Sequence, residues 1–467
     1  MTSQLDFTAR KIAILGGGPG GYEAAMVAAS LGADVTIVER NGLGGSAVLT
    51  DVVPSKTLIA TADVMTRFSS ASNLGVDFGD ASPVAADLKM VNHRLLALAR
   101  EQSNDIRRTL ERMGVNVVLG NGRLLDNHTI EVTADDGTTS TVEAEALLIS
   151  TGANPRELET SMPDGERIFT WKQIYNLTEV PEHLIVIGSG VTGAEFASAY
   201  NGLGSRVTLI SSRDRVLPGE DADAARVLED VFQARGMTVL SRSRADSVKN
   251  TGDGVLVTLS DGRTVEGSHC LVAVGAIPNT QNIGLEEAGI ALDDHGQIKV
   301  DGVSRTTAPN VYAAGDCTGV FNLASVAAMQ GRIAIAHLMG DSVKPLKLKH
   351  VASNIFTSPE IASVGVSEAD VDAGRYQGDV IKLSLHTNAR AKMMDVKEGF
   401  VKIIARKGSG TVIGGVVVGP RASELIFPIA LAVTQKLHVD DVANTFTVYP
   451  SLTGSISEAA RRLHVHI

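Results

Sequence analysis

The 467-residue chain is expected to be an α/β protein with two Rossmann-like dinucleotide-binding domains, followed by a third domain of strands and helices. Three observations predict this. A glycine-rich strand–turn–helix–strand segment opens the chain. The same arrangement returns 172 residues later (188 − 16, between the first glycines). Each copy then runs into a similar tail, DDGTTSTVEAEALLISTGANP and SDGRTVEGSHCLVAVGAIPN. Duplication of a whole unit is far more specific than a single glycine pattern.

In the first copy, KIAILG (11–16) is a short apolar run suited to a buried parallel strand. GGGPGGYEAAMVAASLG follows, with Gly16, Gly18 and Gly21 at G-x-G-x-x-G spacing, and then an alanine-rich helix. DVTIVER is the next strand, and Glu39 ends it, 23 residues beyond the first glycine (39 − 16). Glycines let the backbone approach a pyrophosphate, and the helix N-terminus supplies partial positive charge. The terminal acid accepts hydrogen bonds from ribose hydroxyls.

The second copy, HLIVIGSGVTGAEFASAYNGLGSRVTLISSRDRVLP, repeats the pattern with Gly188, Gly190 and Gly193. Two such domains imply two nucleotides, one held permanently and one exchanging. Ser211 stands where the first copy has Glu39. An acid there would repel a 2′-phosphate, whereas Ser211, Ser212 and Arg213 are able to hydrogen-bond one. Arg213 and Arg215 read equally well as solvated turn residues, so NADPH is permitted and NADH stays open.

Composition bounds the rest. Apolar content of 44% and charged content of 20% suit a globular protein with room for two to four domains. The net charge of −11 argues against nucleic acid and anionic membranes as partners. Neither a signal peptide nor an eighteen-residue apolar run is present, so no membrane span and a cytoplasmic location are expected. Cys270 and Cys317 are too far apart in sequence for a local redox pair and read as buried thiols. His350, His464 and His466 read as surface residues, and no cluster has metal spacing.

A third segment, APNVYAAGDCTG, ends an apolar strand with Gly315-Asp316. Together these motifs resemble the pyridine nucleotide–disulfide oxidoreductases, flavoproteins that include lipoamide dehydrogenase and glutathione reductase. The resemblance implies FAD in the first domain and NAD(P)H in the second. It divides the chain into an FAD-binding first part (1–152), an NAD(P)-binding domain (153–277), a second FAD-binding or central part (278–346) and an α+β dimerisation domain (347–467). It implies that Gly16, Gly18, Gly21, Glu39, Gly45, Ser46, Lys56, Gly122, Thr151, Gly152, Asp316 and Ala324 line the FAD. Gly188, Gly190, Gly193, Ser211, Ser212, Arg213 and Gly275 would line the NAD(P)H. IFTSPEIASVGVSEADV, NARAKMM and GFVKIIARKGSGTVIGGVVVGPRASELI are similar to the family's dimerisation domain. Read without the resemblance, they alternate strand and helix with an apolar face. The resemblance adds a homodimer in which residues near the end of one chain cover the other subunit's flavin.

Two expected features are missing. Disulfide reductases of this family place C-x-x-x-x-C between a glycine pair and a proline-serine-lysine end. In GGSAVLTDVVPSK the frame and spacing survive, but Ala47 and Val52 occupy the cysteine positions. Neither side chain forms a thiolate or a mixed disulfide, so disulfide reduction by that route is excluded. Near the C-terminus the family's histidine and glutamate are replaced by Tyr449 and Gly454 in YPSLTG. Tyrosine, with an ordinary pKa of about 10, is a poor base at neutral pH. Tyr449 is similar to the tyrosine of the soluble pyridine nucleotide transhydrogenases.

Lys56 and Glu195 survive, and the resemblance puts them close together beside flavin and nicotinamide. A fixed ammonium stabilises the negative charge of a reduced flavin, and at about 4 Å and an effective dielectric of about 20 the contact is worth roughly 4 kcal/mol gross. Lys56, Glu195 and Tyr449 are therefore the candidate catalytic residues. The whole sequence most resembles the cysteine-less NAD(P)H:quinone oxidoreductases of actinobacteria. That implies a homodimeric FAD enzyme passing electrons from NADPH or NADH to a small quinone acceptor. Transhydrogenation between NADPH and NAD⁺ is the alternative, and a flavin-loaded binding subunit is the reading from another class.

Overall fold

The computed structural model describes residues 10–77, 79 and 84–464. By compactness the chain divides into two units. The first gathers Met1–Ser55, His93–Pro155 and Ala276–Leu346. Its centre is a parallel sheet with the order Val311–Ala313, Ala146–Ile149, Lys11–Leu15, Asp34–Glu39, Asn116–Leu119. The central strand is buried from Ile12 onward because both sheet faces are covered. On one face, Ile12, Ile14 and Ile37 meet Ala24, Ala25 and Ala28 of helix Pro19–Ser30 and Ala334 of helix Ala324–Leu338. On the other, Ala13, Leu15 and Val38 meet Leu124, Ile130 and Val132 of an antiparallel sheet formed by Asn121–Leu124, Thr129–Thr133 and Thr139–Glu143. The period-two alternation of each strand thus serves two cores at once. The two helices touch backbone to backbone: a Cβ on Gly331 would lie 2.2 Å from the Gly20 carbonyl oxygen.

The second unit gathers Lys56–Asn92, Arg156–Gly275 and Lys347–Ile467. Its parallel sheet runs Thr238–Leu240, Arg206–Ile210, His183–Ile187, His269–Val272, Ile168–Phe169. This order mirrors the first unit's, with one difference: the edge strand beside the fourth position comes from before the repeat here and from after it in the first unit. A three-stranded antiparallel sheet (Ala245–Asn250, Val255–Leu259, Thr264–Gly267) again covers one face.

Residues beyond 347 form a five-stranded antiparallel sheet, Ala352–Ile355, Glu360–Gly365, Val412–Gly419, Phe400–Arg406, Gly378–Ser384. The apolar face read from the sequence is present, but the strands pair as an antiparallel set and the helices collect on that face. Ile403 and Val417 pack there with Ile429 and Ala432 of helix Phe427–Gln435, and with Ile456 and Ala459 of helix Gly454–Arg462. Lys402 is fully buried, and its ammonium donates to Asp221 and Asp223 at 2.8 and 2.9 Å and also to Glu368. Asp221 caps helix Ala222–Ala234, so the lysine ties that helix start to the antiparallel sheet. These three acids are the one grouping of metal-ligand type among the described residues, and Lys402 accounts for it. Among the described residues no helix is long and apolar enough to cross a membrane.

Candidate active site and nucleotide cradles

The two glycine turns superimpose in their logic. Gly16 and Gly188 have φ of +102° and +107°, and a Cβ on either would lie 2.3 or 2.2 Å from a carbonyl oxygen, of Ser150 or Ala273. Gly21 and Gly193 close the turn: a Cβ there would sit 1.9 or 1.8 Å from the carbonyl oxygen of Gly16 or Gly188. These four glycines are required by the chain itself. The middle ones are not. Gly18 and Gly190 have extended backbone (φ −67° and −72°) that any residue adopts, and a Cβ would meet nothing closer than 4.0 Å at Gly18 and nothing within 4 Å at Gly190. The space left open at both helix N-termini is what a pyrophosphate needs for close backbone approach. Both cradles fit a dinucleotide.

The ends of the second strands differ. Glu39 is buried; its carboxylate accepts from the backbone N–H of Gly17 at 2.7 Å and of Asn41 at 2.7 Å. Ser211 departs from the expectation that it faces a 2′-phosphate. It is fully buried, its hydroxyl lies 2.6 Å from Ser189 Oγ, and it accepts from the Arg213 backbone N–H at 3.1 Å. A serine is too short to reach past its own turn, so Ser211 shapes the loop. Ser212, Arg213 and Asp214 are the exposed groups there.

Around the first cradle, Gly45 has φ of +56° and a Cβ on it would lie 2.8 Å from Gly18 Cα, while the Gly44 N–H bonds the Gly17 carbonyl. Ser46 Oγ is 2.9 Å from Thr50 Oγ1. Thr151 and Gly152 are fixed by Asn279: the Thr151 hydroxyl donates to the Asn279 carbonyl, and the Asn279 N–H donates to the Gly152 carbonyl. Gly152 (φ +69°) and its second-unit counterpart Gly275 (φ +100°) both face open space. Gly122 has a packing reason of its own, because a Cβ would lie 2.3 Å from Leu15 Cδ1. Gln330 holds the Gly315 N–H, leaving Asp316 at the head of a short turn just before Ala324, the first residue of helix Ala324–Leu338. Burial, with the Asp51 carboxylate adding to it, raises the Asp316 acid to about 6. A half-buried carboxyl with no salt bridge among the described residues suits a ligand hydroxyl.

In the second unit, Lys56 Nζ donates to Glu195 Oε2 at 2.7 Å. The side chains are 26% and 5% exposed, so the acid is buried while the ammonium keeps an open side. Lys56 sits in helix Val52–Ser70, and Glu195 in helix Val191–Gly202, which Gly190 caps. A third residue, missed by sequence reasoning, completes the arrangement. The Phe356 backbone N–H donates to Glu195 Oε1 at 2.8 Å, and the Phe356 ring lies 5.0 Å from the Lys56 ammonium. Glu195 is thus held at both oxygens, and Lys56 is held by charge and by an aromatic face. The only sequence signal was the segment IFTSPE, which carries no chemistry on its surface.

Ala47 lies in the short helix Gly45–Leu49, and Val52 begins the next. Cys270 and Cys317 are both buried and free; burial raises both thiols, Cys317 to about 11. Tyr449 is 87% exposed beside Val448 (78%) and the fully exposed Phe446. The structure brings it to neither Lys56 nor Glu195 by any described hydrogen bond. His464 is exposed and 2.7 Å from Asp440; His466 lies outside the described residues.

Paired dinucleotide cradles, a buried acid holding an ammonium, and a C-terminal antiparallel domain define a two-nucleotide flavoprotein oxidoreductase. The chain belongs to the pyridine nucleotide-disulphide oxidoreductase family, whose model matches residues 10–331, with the family's dimerisation domain at 351–460. The family's cofactors are FAD and NAD(P)H. The chain is 54% identical to an NAD(P)H dehydrogenase (quinone) of Mycobacterium tuberculosis, covering 98% of this chain and 94% of that one. It is 34% identical to a dihydrolipoyl dehydrogenase of Chlorobaculum tepidum, covering 96% of each. The crystal structure of LpdA from Mycobacterium tuberculosis matches with a TM-score of 0.94 at 53% identity, over 98% of this chain and 100% of that one.

Proposed function

We propose that the protein is an FAD-dependent NAD(P)H:quinone oxidoreductase. The observation that carries this reading is an intact, doubly held Lys56–Glu195 pair in a chain with Ala47 and Val52 in place of the redox cysteines. The mycobacterial relative's name supports a quinone as acceptor. FAD, when bound, supplies the two-electron carrier between nicotinamide and acceptor. The protein's part is to bind, orient and supply fixed charge. Glu195, gripped by the Phe356 N–H, keeps the Lys56 ammonium aimed before any charge develops, so no reorganisation is needed during reaction. Removing the cysteines leaves small apolar side chains that cannot intercept electrons.

The reading keeps the four-segment domain division and a cytoplasmic homodimer. Exposed Phe427, Phe446, Val448 and Tyr449 in the dimerisation domain supply an apolar surface for a second copy. Tyr449 then serves the partner's acceptor site.

The test is anaerobic NADPH and NADH oxidation by the purified flavoprotein, with a para-quinone and separately with a thio-analogue of NAD⁺. Fast turnover with the quinone alone is expected. Fast turnover with the pyridine nucleotide alone would make the protein a transhydrogenase. Lys56→Ala should slow flavin reduction at least tenfold, on the order of the loss of one preorganised charge, and leave FAD bound; an unchanged rate would remove Lys56 from the chemistry.

A further inference from the structure

The Lys56–Glu195 pair owes its setting to a short run of backbone. Residues 356–358 follow strand Ala352–Ile355 and serve both members of the pair. The Phe356 N–H donates to Glu195 Oε1 at 2.8 Å, and the Phe356 ring lies 5.0 Å from the Lys56 ammonium. A shift of this run therefore disturbs acid and ammonium together. Its start is fixed by the sheet, where Ile355 pairs with Ile361. Its end is fixed by a serine. The Ser358 N–H donates to Ser198 Oγ at 3.0 Å, and the Ser358 carbonyl accepts from Arg235 Nη1 at 2.9 Å. Ser198 stands three residues beyond Glu195 on helix Val191–Gly202, a spacing that puts the two on one face. One helix thus grips the run at two points a turn apart, once through the paired acid and once through a neutral hydroxyl. Both residues are buried, so water competes poorly for either bond.

We propose that Ser198 is a positioning residue for the Lys56–Glu195 pair, seating residues 356–358 so that Glu195 and the Phe356 ring hold the ammonium in one place. What the aimed ammonium is used for rests on the oxidoreductase reading above. A fixed charge helps a reaction to the extent that it is placed before charge develops, so the gain lies in holding it still. With Ser358 released, the run is anchored at the sheet and at Glu195 alone, and the ring is free to swing off Lys56. Arg235 does not replace the serine. Its long side chain is rooted at the end of another helix, Ala222–Ala234, and has the rotamer freedom to follow a moving carbonyl. The serine hydroxyl, one bond from its Cβ on the helix that carries Glu195, does not.

The experiment uses the purified, flavin-loaded enzyme. Ser198→Ala removes the Oγ acceptor and installs the best helix former, so the helix itself is not weakened. The control is Ser205→Ala, which deletes another buried serine bond of the same unit, to the Pro181 carbonyl at 2.6 Å. The first readout is acylation of Lys56 by a small amine reagent without nucleotide, followed by peptide mass. Ser198→Ala should label Lys56 about three- to tenfold faster, the range spanned by one neutral hydrogen bond. Ser205→Ala should lower the melting temperature and label Lys56 at the wild-type rate. The second readout is flavin reduction by NADPH and NADH. It should slow by a similar factor in Ser198→Ala with KM unchanged, and Ser198→Thr, which keeps the hydroxyl, should recover it. Unchanged Lys56 labelling, an equal rise in Ser205→Ala, or an unchanged reduction rate beside a wild type that is reduced would overturn the assignment. If neither nucleotide reduces the wild-type flavin, the oxidoreductase reading fails on its own, and Lys56 labelling still decides the role of Ser198.

Discussion

The two dinucleotide units are the same turn solved twice, and they part at one position. In both, the residue ending the second strand reaches back to the residue after the first glycine. In the first unit a carboxylate does this: Glu39 grips the Gly17 N–H and is buried with its charge. In the second, Ser211 does it through Ser189 Oγ, with no charge at all. A buried acid pinned at two N–H groups is a rigid acceptor for ribose hydroxyls and suits a cofactor that stays. A neutral, self-satisfied serine leaves the ribose end to exposed Ser212 and Arg213 and suits a nucleotide that must leave. On the proposed reading, closely similar backbone geometry serves a resident and an exchanging nucleotide, and the difference lies in what satisfies the end of the second strand.

The largest test of that symmetry is at the closing glycines. Gly21→Ala and Gly193→Ala each drive a Cβ to within 2 Å of a carbonyl oxygen, at 1.9 and 1.8 Å. Each should cost about 3 kcal/mol or more, seen as lost yield and a lowered melting temperature. The middle glycines should separate the units instead. Gly18→Val should fold but bind no FAD, by absorbance at the flavin band per chain. Gly190→Val should keep its FAD and lose tenfold or more in pyridine nucleotide affinity, the consequence of blocking close backbone approach. Should Gly190→Val shed FAD as well, the assignment of ligands to cradles would be wrong.

Asp316 has no counterpart in the second unit and gives a pH test. Its pKa is raised from 3.8 to about 6 in the folded chain. A carboxyl raised on folding favours the protonated native state. Flavin-free protein should therefore be most stable below about pH 4 with respect to this group and should lose that contribution as pH rises from about 4 to about 6. The full difference is on the order of 3 kcal/mol. Asp316→Asn should abolish this slope in urea unfolding and weaken FAD binding; a slope that persists in the variant would assign it elsewhere. The smallest effect concerns the ribose end. Arg213→Ala should shift the NADPH to NADH preference several-fold, whereas Ser211→Ala should weaken both nucleotides alike. A Ser211→Ala effect on NADPH alone would return that hydroxyl to the phosphate.

Much of this was legible in the chain. Glycine spacing, the alanine-rich helices and the apolar strands each reflect a local steric demand, and such demands are written locally. The repeat made the second unit readable from the first. The Lys56–Glu195 contact was reachable only through family resemblance, because nothing local links residues 139 positions apart. Ser211 marks a limit of such reading: its place after the strand is legible, but the bonds its hydroxyl makes to Ser189 and the Arg213 N–H are not. Phe356 is invisible for a related reason: a backbone N–H aimed at Glu195 shows itself only after the antiparallel sheet has placed it. The loss of the cysteines was the easiest feature to read, since absence of a thiol needs no geometry.

If the exposed strip Phe446, Val448 and Tyr449 covers a second copy's site, as proposed above, the pairing has a kinetic corollary. A site completed by another copy's residues makes the amount of enzyme a reactant order as well as a multiplier. Turnover per bound flavin should then be constant in concentrated solution, decline on dilution past the association midpoint, and recover with a lag set by re-encounter. An assay run at a single low concentration would record that equilibrium in place of the chemistry.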